Sequence, residues 1–214
     1  MYGLELIKKA FSLQPVERVP WVPFVGVHGG FLTGVDAGTY LKSSLEIVKG
    51  VSKAIEEYNP DGIPVLFDLQ AEAEALGCRL RWSESSPPAV VSHPLSEGRS
   101  VDDLSVPGPD EGRIPIAVDA ALKLREKYPD IALYGLITGP FTLAMHLMGT
   151  DIFTKLYEDP DEIFKLMDFC MRVGNRMAEY YMDAGCDIIA LVDPMTSQID
   201  SFTFEKFVTP YASE

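Results

Sequence analysis

Short apolar runs alternate along this chain with longer stretches in which apolar residues recur every three or four positions. That alternation predicts buried strands, each followed by helix. A first helix is expected over 2–13, with Leu4, Ile7 and Phe11 on one face and Pro15 beyond its end. Arg18 to Val27 (RVPWVPFVGV) is apolar but interrupted by Pro20 and Pro23, and predicts a short strand beginning near Trp21 or Val22. His28-Gly29-Gly30 then stands at its carboxyl end as a Gly-rich loop. Thr39 to Tyr58 reads as one or two helices with Leu45, Val48, Val51 and Ile55 aligned, stopped by Asn59-Pro60-Asp61-Gly62. Ile63 to Phe67 is a second buried strand closed by Asp68, and Leu69 to Leu76 is a short helix ended by Gly77.

The pattern then changes. Cys78 to Trp82 and Ala89 to Val91 predict a small antiparallel pair around Ser85-Ser86-Pro87-Pro88, and the polar, Pro- and Gly-rich sequence from Ser92 to Gly112 predicts an exposed excursion. A helix over Ile114–Tyr128 leads to a third apolar run, Ile131 to Ile137. There Thr138-Gly139-Pro140 turns the chain into an almost wholly apolar helix. Pro140 suits its first position, and Thr138 or Gly139 its cap. Such a joint leaves free N–H groups at the carboxyl end of a strand, a place for an anionic ligand. Thr150-Asp151 caps a helix to Tyr157, Asp159-Pro160-Asp161 starts a long one to Ala184, and Cys186 to Val192 is the fourth strand, closed by Asp193-Pro194. A last helix begins at Ser201 or Thr203.

Four buried strands alternating with helices predict an α/β fold with a parallel sheet. It closes either as an open doubly wound sheet or as part of a (β/α)8 TIM barrel. A complete barrel takes about 250 residues, so with 214 residues the barrel reading makes this the N-terminal part of one. Residues 1–214 are expected to form a single domain, with the excursion at 78–112.

A net charge of −14 excludes a surface built for nucleic acid or anionic membrane, which needs clustered Lys and Arg. No run of eighteen apolar residues is present to span a bilayer. The N-terminus lacks the order of a signal peptide. Cys78, Cys170 and Cys186 are widely spaced, which points to reduced thiols, a cytoplasmic setting and no cysteine-built zinc site.

In either closure the groups at the carboxyl ends of strands converge. Those are His28, Asp68, Thr138 to Phe141 and Asp193, with His146 two helical turns beyond Gly139. Two carboxylates and one or two histidines make an acid–base or cation-holding set. Each has a plainer reading: Asp68 as a helix cap, Asp193 as the start of a turn, His146 as a core histidine.

The motifs together resemble the uroporphyrinogen decarboxylase family, which includes the cobalamin-dependent methyltransferases. The resemblance lies in Glu17-Arg18-Val19-Pro20, in Leu66-Phe67-Asp68 with Glu74-Ala75-Leu76-Gly77, and in Gly139-Pro140-Phe141-Thr142-Leu143. Asp193-Pro194, Phe204-Glu205-Lys206-Phe207 and Pro210-Tyr211 complete it. In the decarboxylases, two arginines after the first strand hold substrate carboxylates, and a tyrosine falls at the position of His146. Here Val25 to Phe31 contains no arginine. The resemblance therefore implies the methyltransferase branch, which moves a methyl group between a corrinoid protein and a thiol such as coenzyme M. It implies catalytic Asp68, His146 and Asp193, with His28, Gly139, Pro140 and Phe141 binding substrate. It also implies zinc, held by ligands beyond residue 214. A decarboxylase-like enzyme of another tetrapyrrole and a non-catalytic corrinoid- or partner-binding module are the alternatives. Unpaired strand edges at Ile63–Phe67 and Cys186–Val192 would favour self-association.

Overall fold

A computed structural model of the chain describes residues 3–212. Tyr2 and the last two residues, which fall in the expected first and last helices, lie outside the described residues. Helix α1 (Gly3–Phe11) buries Leu6 and Ile7. The stretch expected to hold the first strand is extended backbone without a strand ladder. Pro20 and Pro23 have no N–H to give. The backbone link to the next segment is Asp61 N–H to the Trp21 carbonyl at 2.9 Å. Asp61 adds its side chain, accepting from Trp21 N–H at 2.8 Å and pairing through both oxygens with Arg18 at 2.6 Å. Polar side-chain bonds thus hold a proline-broken segment that the apolar pattern marks as strand.

Val25 leads directly into helix α2 (His28–Thr33), so His28 opens a helix instead of occupying a Gly-rich loop. Helix α3 (Ala37–Leu41), capped by Asp36, and α4 (Ser44–Tyr58), capped by Ser43, follow. The backbones of α2 and α4 nearly touch: a Cβ on Gly50 would lie 2.5 Å from the Gly29 carbonyl oxygen. Strand β1 (Gly62–Pro64) leads to α5 (Ala71–Ala75), and β2 (Leu80–Arg81) and β3 (Ala89–Val90) form the antiparallel pair the sequence predicts. Beyond them lie a 3-10 turn (Val101–Asp103), α6 (Ile114–Lys127), β4 (Ala132–Thr138), α7 (Pro140–Met148), α8 (Asp151–Glu158) and α9 (Pro160–Asp183). The chain finishes with β5 (Ile188–Val192), a 3-10 turn (Pro194–Gln198), α10 (Ser201–Phe207) and α11 (Thr209–Ala212). Thr150 makes no side-chain cap bond to α8, whereas Asp159 caps α9 at 3.3 Å.

The sheet runs β1-β4-β5, all parallel, with Ile63 opposite Leu133, Leu136 opposite Ala190 and Thr138 opposite Val192. Among the described residues it has three strands, one fewer than the sequence pattern predicts. Every residue of the central strand β4 is buried. A parallel strand covered on both faces has no solvent side to populate with polar residues, which is why ALYGLIT reads as one apolar run. Helix α9 lies so close that a Cβ on Gly135 would meet the Tyr181 Cβ at 2.4 Å. The edge strand β5 is only half-buried, with Leu191 43% exposed.

The predicted excursion is less exposed than its composition implies. Ser92, Pro94 and Val101 are buried, and Leu95 N–H donates to the Leu147 carbonyl of α7 at 3.0 Å. This latch carries the 93–96 loop onto the end of α7.

Candidate functional site

The carboxyl ends of β4 and β5 meet at the start of α7. Gly139 is the N-cap and has no side chain to offer, so the free N–H groups of the first turn are met from the neighbouring strand. Asp193, directly after β5, accepts from Phe141 N–H at 3.1 Å and Thr142 N–H at 2.7 Å, and from the Thr142 hydroxyl at 2.6 Å. A Cβ on Gly139 would sit 2.3 Å from the Asp193 Cβ, so glycine is what lets the carboxylate approach. Burial raises the Asp193 pKa, and the hydrogen bonds from Thr142 and Phe141 recover part of the shift. The place the sequence offers to an anionic ligand is therefore taken by the protein's own carboxylate.

Asp68, four residues after β1, is bound on both oxygens. Oδ1 accepts from Gln70 N–H at 2.8 Å, and Oδ2 pairs with Nη1 of Arg113. The Arg113 guanidinium is buried and is closed from the other side by Glu74, whose Oε2 lies 2.5 Å from Nε. Burial works against the charge on Arg113, but Asp68 and Glu74 overcome it and raise its pKa. Gln70, not Asp68, is the N-cap residue of α5, so Asp68 closes a local turn and an ion pair. One turn on, Glu72 is wholly buried and accepts from Thr138 N–H at 2.9 Å and the Thr138 hydroxyl at 2.8 Å. Burial pushes its pKa up, and the Thr138 bonds oppose this. These bonds tie α5 to the carboxyl end of β4.

His146 is in the last turn of α7 and 7% exposed. It lines a cavity of about 370 Å³ with Gln70, Val90, His93, Met145 and Met195, among others. Burial lowers its pKa to about 4, His93 adds to the lowering, and the charge on Asp68 opposes it. The ring is therefore neutral near pH 7. His93 Nδ1 lies 2.8 Å from the His146 carbonyl oxygen. That oxygen only accepts, so Nδ1 of His93 carries a proton and donates it. The Cys78 thiol donates to the same carbonyl at 3.3 Å, and burial pushes its pKa up to about 12. Gly149, at φ +65°, leaves room for His93: a Cβ there would lie 2.8 Å from its Cδ2. With Ser96 bonded to the Met148 carbonyl, the 93–96 loop caps the last three carbonyls of α7.

The structure thus gathers His146, Asp68 and Asp193 around the carboxyl ends of the sheet, with Gly139, Pro140 and Phe141 fixing the start of α7. It places His28 elsewhere. That ring is exposed, bonds to the Tyr58 hydroxyl at 2.7 Å, stacks on Phe31 and Tyr58, and does not line the cavity. Sequence reasoning missed Gln70, Glu72, His93 and Arg113. Glu72 and Glu74 had a signal, as carboxylates on a short helix otherwise made of alanine. His93 had none, being one polar residue in a stretch that reads as loop.

Gln70 Oε1, His146 Nδ1 and Arg113 Nη2 are buried without a hydrogen-bond partner among the described residues. A buried polar atom left unpaired is costly, of the order of 1–3 kcal/mol, and Gln70 and His146 are among the residues that line the cavity. Asp68, Asp193 and Glu72 are committed to internal bonds, and Arg113 is paired with Asp68 and Glu74 while its Nη2 makes no bond. The described residues hold no group of three or more His, Cys, Asp or Glu side chains able to bind a metal ion.

Comparison with known proteins places these features in context. The family model described as uroporphyrinogen decarboxylase (URO-D) matches residues 3–214. A methylcobamide:CoM methyltransferase of Methanosarcina mazei is 30% identical over 97% of this chain and 63% of its own length. A uroporphyrinogen decarboxylase of Neisseria gonorrhoeae is 24% identical over 95% of this chain and 61% of its own length. A solved structure of a methyltransferase from Methanosarcina mazei superposes with a TM-score of 0.90 at 24% identity, over 99% of this chain and 65% of that one. The fold is that of a partial (β/α)8 barrel, and the chain spans less than two thirds of the length of these relatives.

Proposed function

We propose that this chain, which belongs to the uroporphyrinogen decarboxylase family, forms the N-terminal part of a methyltransferase. Its reaction would move a methyl group between a corrinoid protein and a thiol acceptor such as coenzyme M. Residues 1–214 would act as one domain of that barrel. The observation that carries the reading is the charge of the cavity. Among the described residues no Lys or Arg lines it, and the nearby guanidinium of Arg113 is paired with Asp68 and Glu74. A porphyrinogen with many carboxylates requires cations to bind, as bidentate or charge-assisted bonds. An uncharged methyl group on an amide-fringed corrinoid does not.

In this reading His146 and Gln70 contact and orient the bound group. Asp68 holds Gln70 through its backbone N–H, and Asp193 fixes α7 so that His146 reaches the cavity; both are positioning residues. The apolar wall of Val90, Met145 and Met195 excludes water. Zinc enters from the family resemblance, where it would lower the pKa of the acceptor thiol. The described residues do not supply a ligand set that fits it. A decarboxylase relative is the second reading, favoured by the N. gonorrhoeae match. Offered uroporphyrinogen, the protein joined to the part of a relative that the match does not reach should form no coproporphyrinogen. Formation at an enzymatic rate would favour the decarboxylase instead.

A further inference from the structure

Glu72 stands in the short helix AEAEA and is only 2% exposed. Among the described residues it forms no ion pair, since the buried cation Arg113 is paired with Asp68 and Glu74. What meets its carboxyl group is Thr138, the last residue of β4. Thr138 N–H donates to Oε1 at 2.9 Å, and the Thr138 hydroxyl lies 2.8 Å from Oε2. The same hydroxyl lies 3.1 Å from the Leu69 carbonyl oxygen. A heavy-atom distance does not say which oxygen carries the proton. A hydroxyl has one proton to give and lone pairs with which to accept. Facing an ionised Glu72, it meets two acceptors and serves one of them. Facing a protonated Glu72, the count closes: the acid O–H donates to Thr138 Oγ1, and the Thr138 O–H donates to Leu69.

We propose that Glu72 is a neutral carboxylic acid at pH 7, and that its proton clasps α5 to the carboxyl end of β4 in a joint that weakens as pH rises. The surrounding groups agree. Burial and the charge of Asp68 both favour the acid form of Glu72. On α9, burial keeps the Tyr181 phenol protonated, and on α7 the titratable side chain is His146, neutral near pH 7. Asp193 is taken by the N–H groups of α7. The joint connects two parts of the site: α5 starts after Gln70, which lines the cavity, and Thr138 stands two residues before the start of α7. An opened α5 releases the Glu72 proton to water, so each rise in pH favours opening until the folded group itself ionises.

Glu72→Gln tests this in the full chain. The glutamine amide accepts from Thr138 N–H and donates to Thr138 Oγ1, so it reproduces the pattern of the acid without its titration, and the variant should fold. In the infrared difference spectrum of wild type minus variant at pH 7, a protonated-carboxyl band should appear without a carboxylate band. Hydrogen exchange over residues 69–76 reads the clasp itself, and comparison at equal pH removes the intrinsic rate. Between pH 5 and pH 7 the exchange rate of wild type relative to Glu72→Gln should rise at least about 10-fold. A carboxylate band at pH 7, a rate ratio that stays constant over this range, or a Glu72→Gln protein that does not fold would overturn the proposal.

Discussion

A buried guanidinium that loses one of its two carboxylates is left under-compensated, and such a loss costs about 3–5 kcal/mol. Asp68→Asn does this to Arg113, although Glu74 at 2.5 Å moderates the effect. The substitution should destabilise by about 3 kcal/mol in urea unfolding. A helix-capping or turn role alone would leave Asn nearly equivalent, so a change below about 0.5 kcal/mol would contradict the ion-pair account. His146 sets a different dependence. Its folded pKa of about 4 lies below the ordinary 6.5, so as pH falls the unfolded chain takes up the proton first. The stabilisation is complete above pH 6.5 and is lost between 6.5 and 4, amounting to about 2 kcal/mol by pH 5. Glu72 and Asp193, with raised pKa values, act in the opposite sense, so the comparison is with a variant. His146→Phe should lose less stability than wild type between pH 7 and pH 5. Parallel stability curves would contradict the buried neutral histidine.

Helix α7 is capped at both ends by residues distant in sequence, Asp193 at its start and the 93–96 loop at its finish. Asp193→Ala should destabilise by about 1–2 kcal/mol and Asp193→Asn by clearly less, because asparagine still accepts at a helix start. Equal effects of Ala and Asn in thermal unfolding would show that the carboxyl oxygens do not hold the helix. The elements themselves were largely legible. β4, α7 and α9 announce themselves by apolar period, a proline at the helix start and a closing glycine. The failures have physical causes. The strand expected from Trp21 is apolar enough, but its two prolines cannot donate to a ladder. The 93–96 loop is polar and Pro-containing, and nothing local reveals that its N–H and imidazole groups are spent on carbonyls of α7. The same cause hid the site. Asp68, His146 and Asp193 stand at strand ends or on an apolar helix and could be picked out. Their partners Arg113, Gln70 and His93 become recognisable only through contacts between separate segments.

Across the molecule, the two outer strands differ. β1 is buried throughout, and Ile7 of α1 joins the small cluster around Ala132 and Tyr134, so the first expected edge is not exposed. β5 is half-buried, with Leu191 43% exposed. An open apolar edge pairs with other chains, so light scattering should find this chain self-associated, and Leu191→Lys should shift it towards monomer. A monodisperse wild-type monomer would contradict an available edge. The larger question is which reaction the barrel serves, and following the methyl group itself answers it most directly. Corrinoid carrying a 13C-labelled methyl group, mixed with coenzyme M and the chain completed by the unmatched part of its M. mazei relative, is observed by NMR. The cobalt-bound methyl signal should decay as a sulfur-bound methyl signal grows at a protein-dependent rate. A cobalt-bound signal that persists, while the same protein decarboxylates uroporphyrinogen, would contradict it.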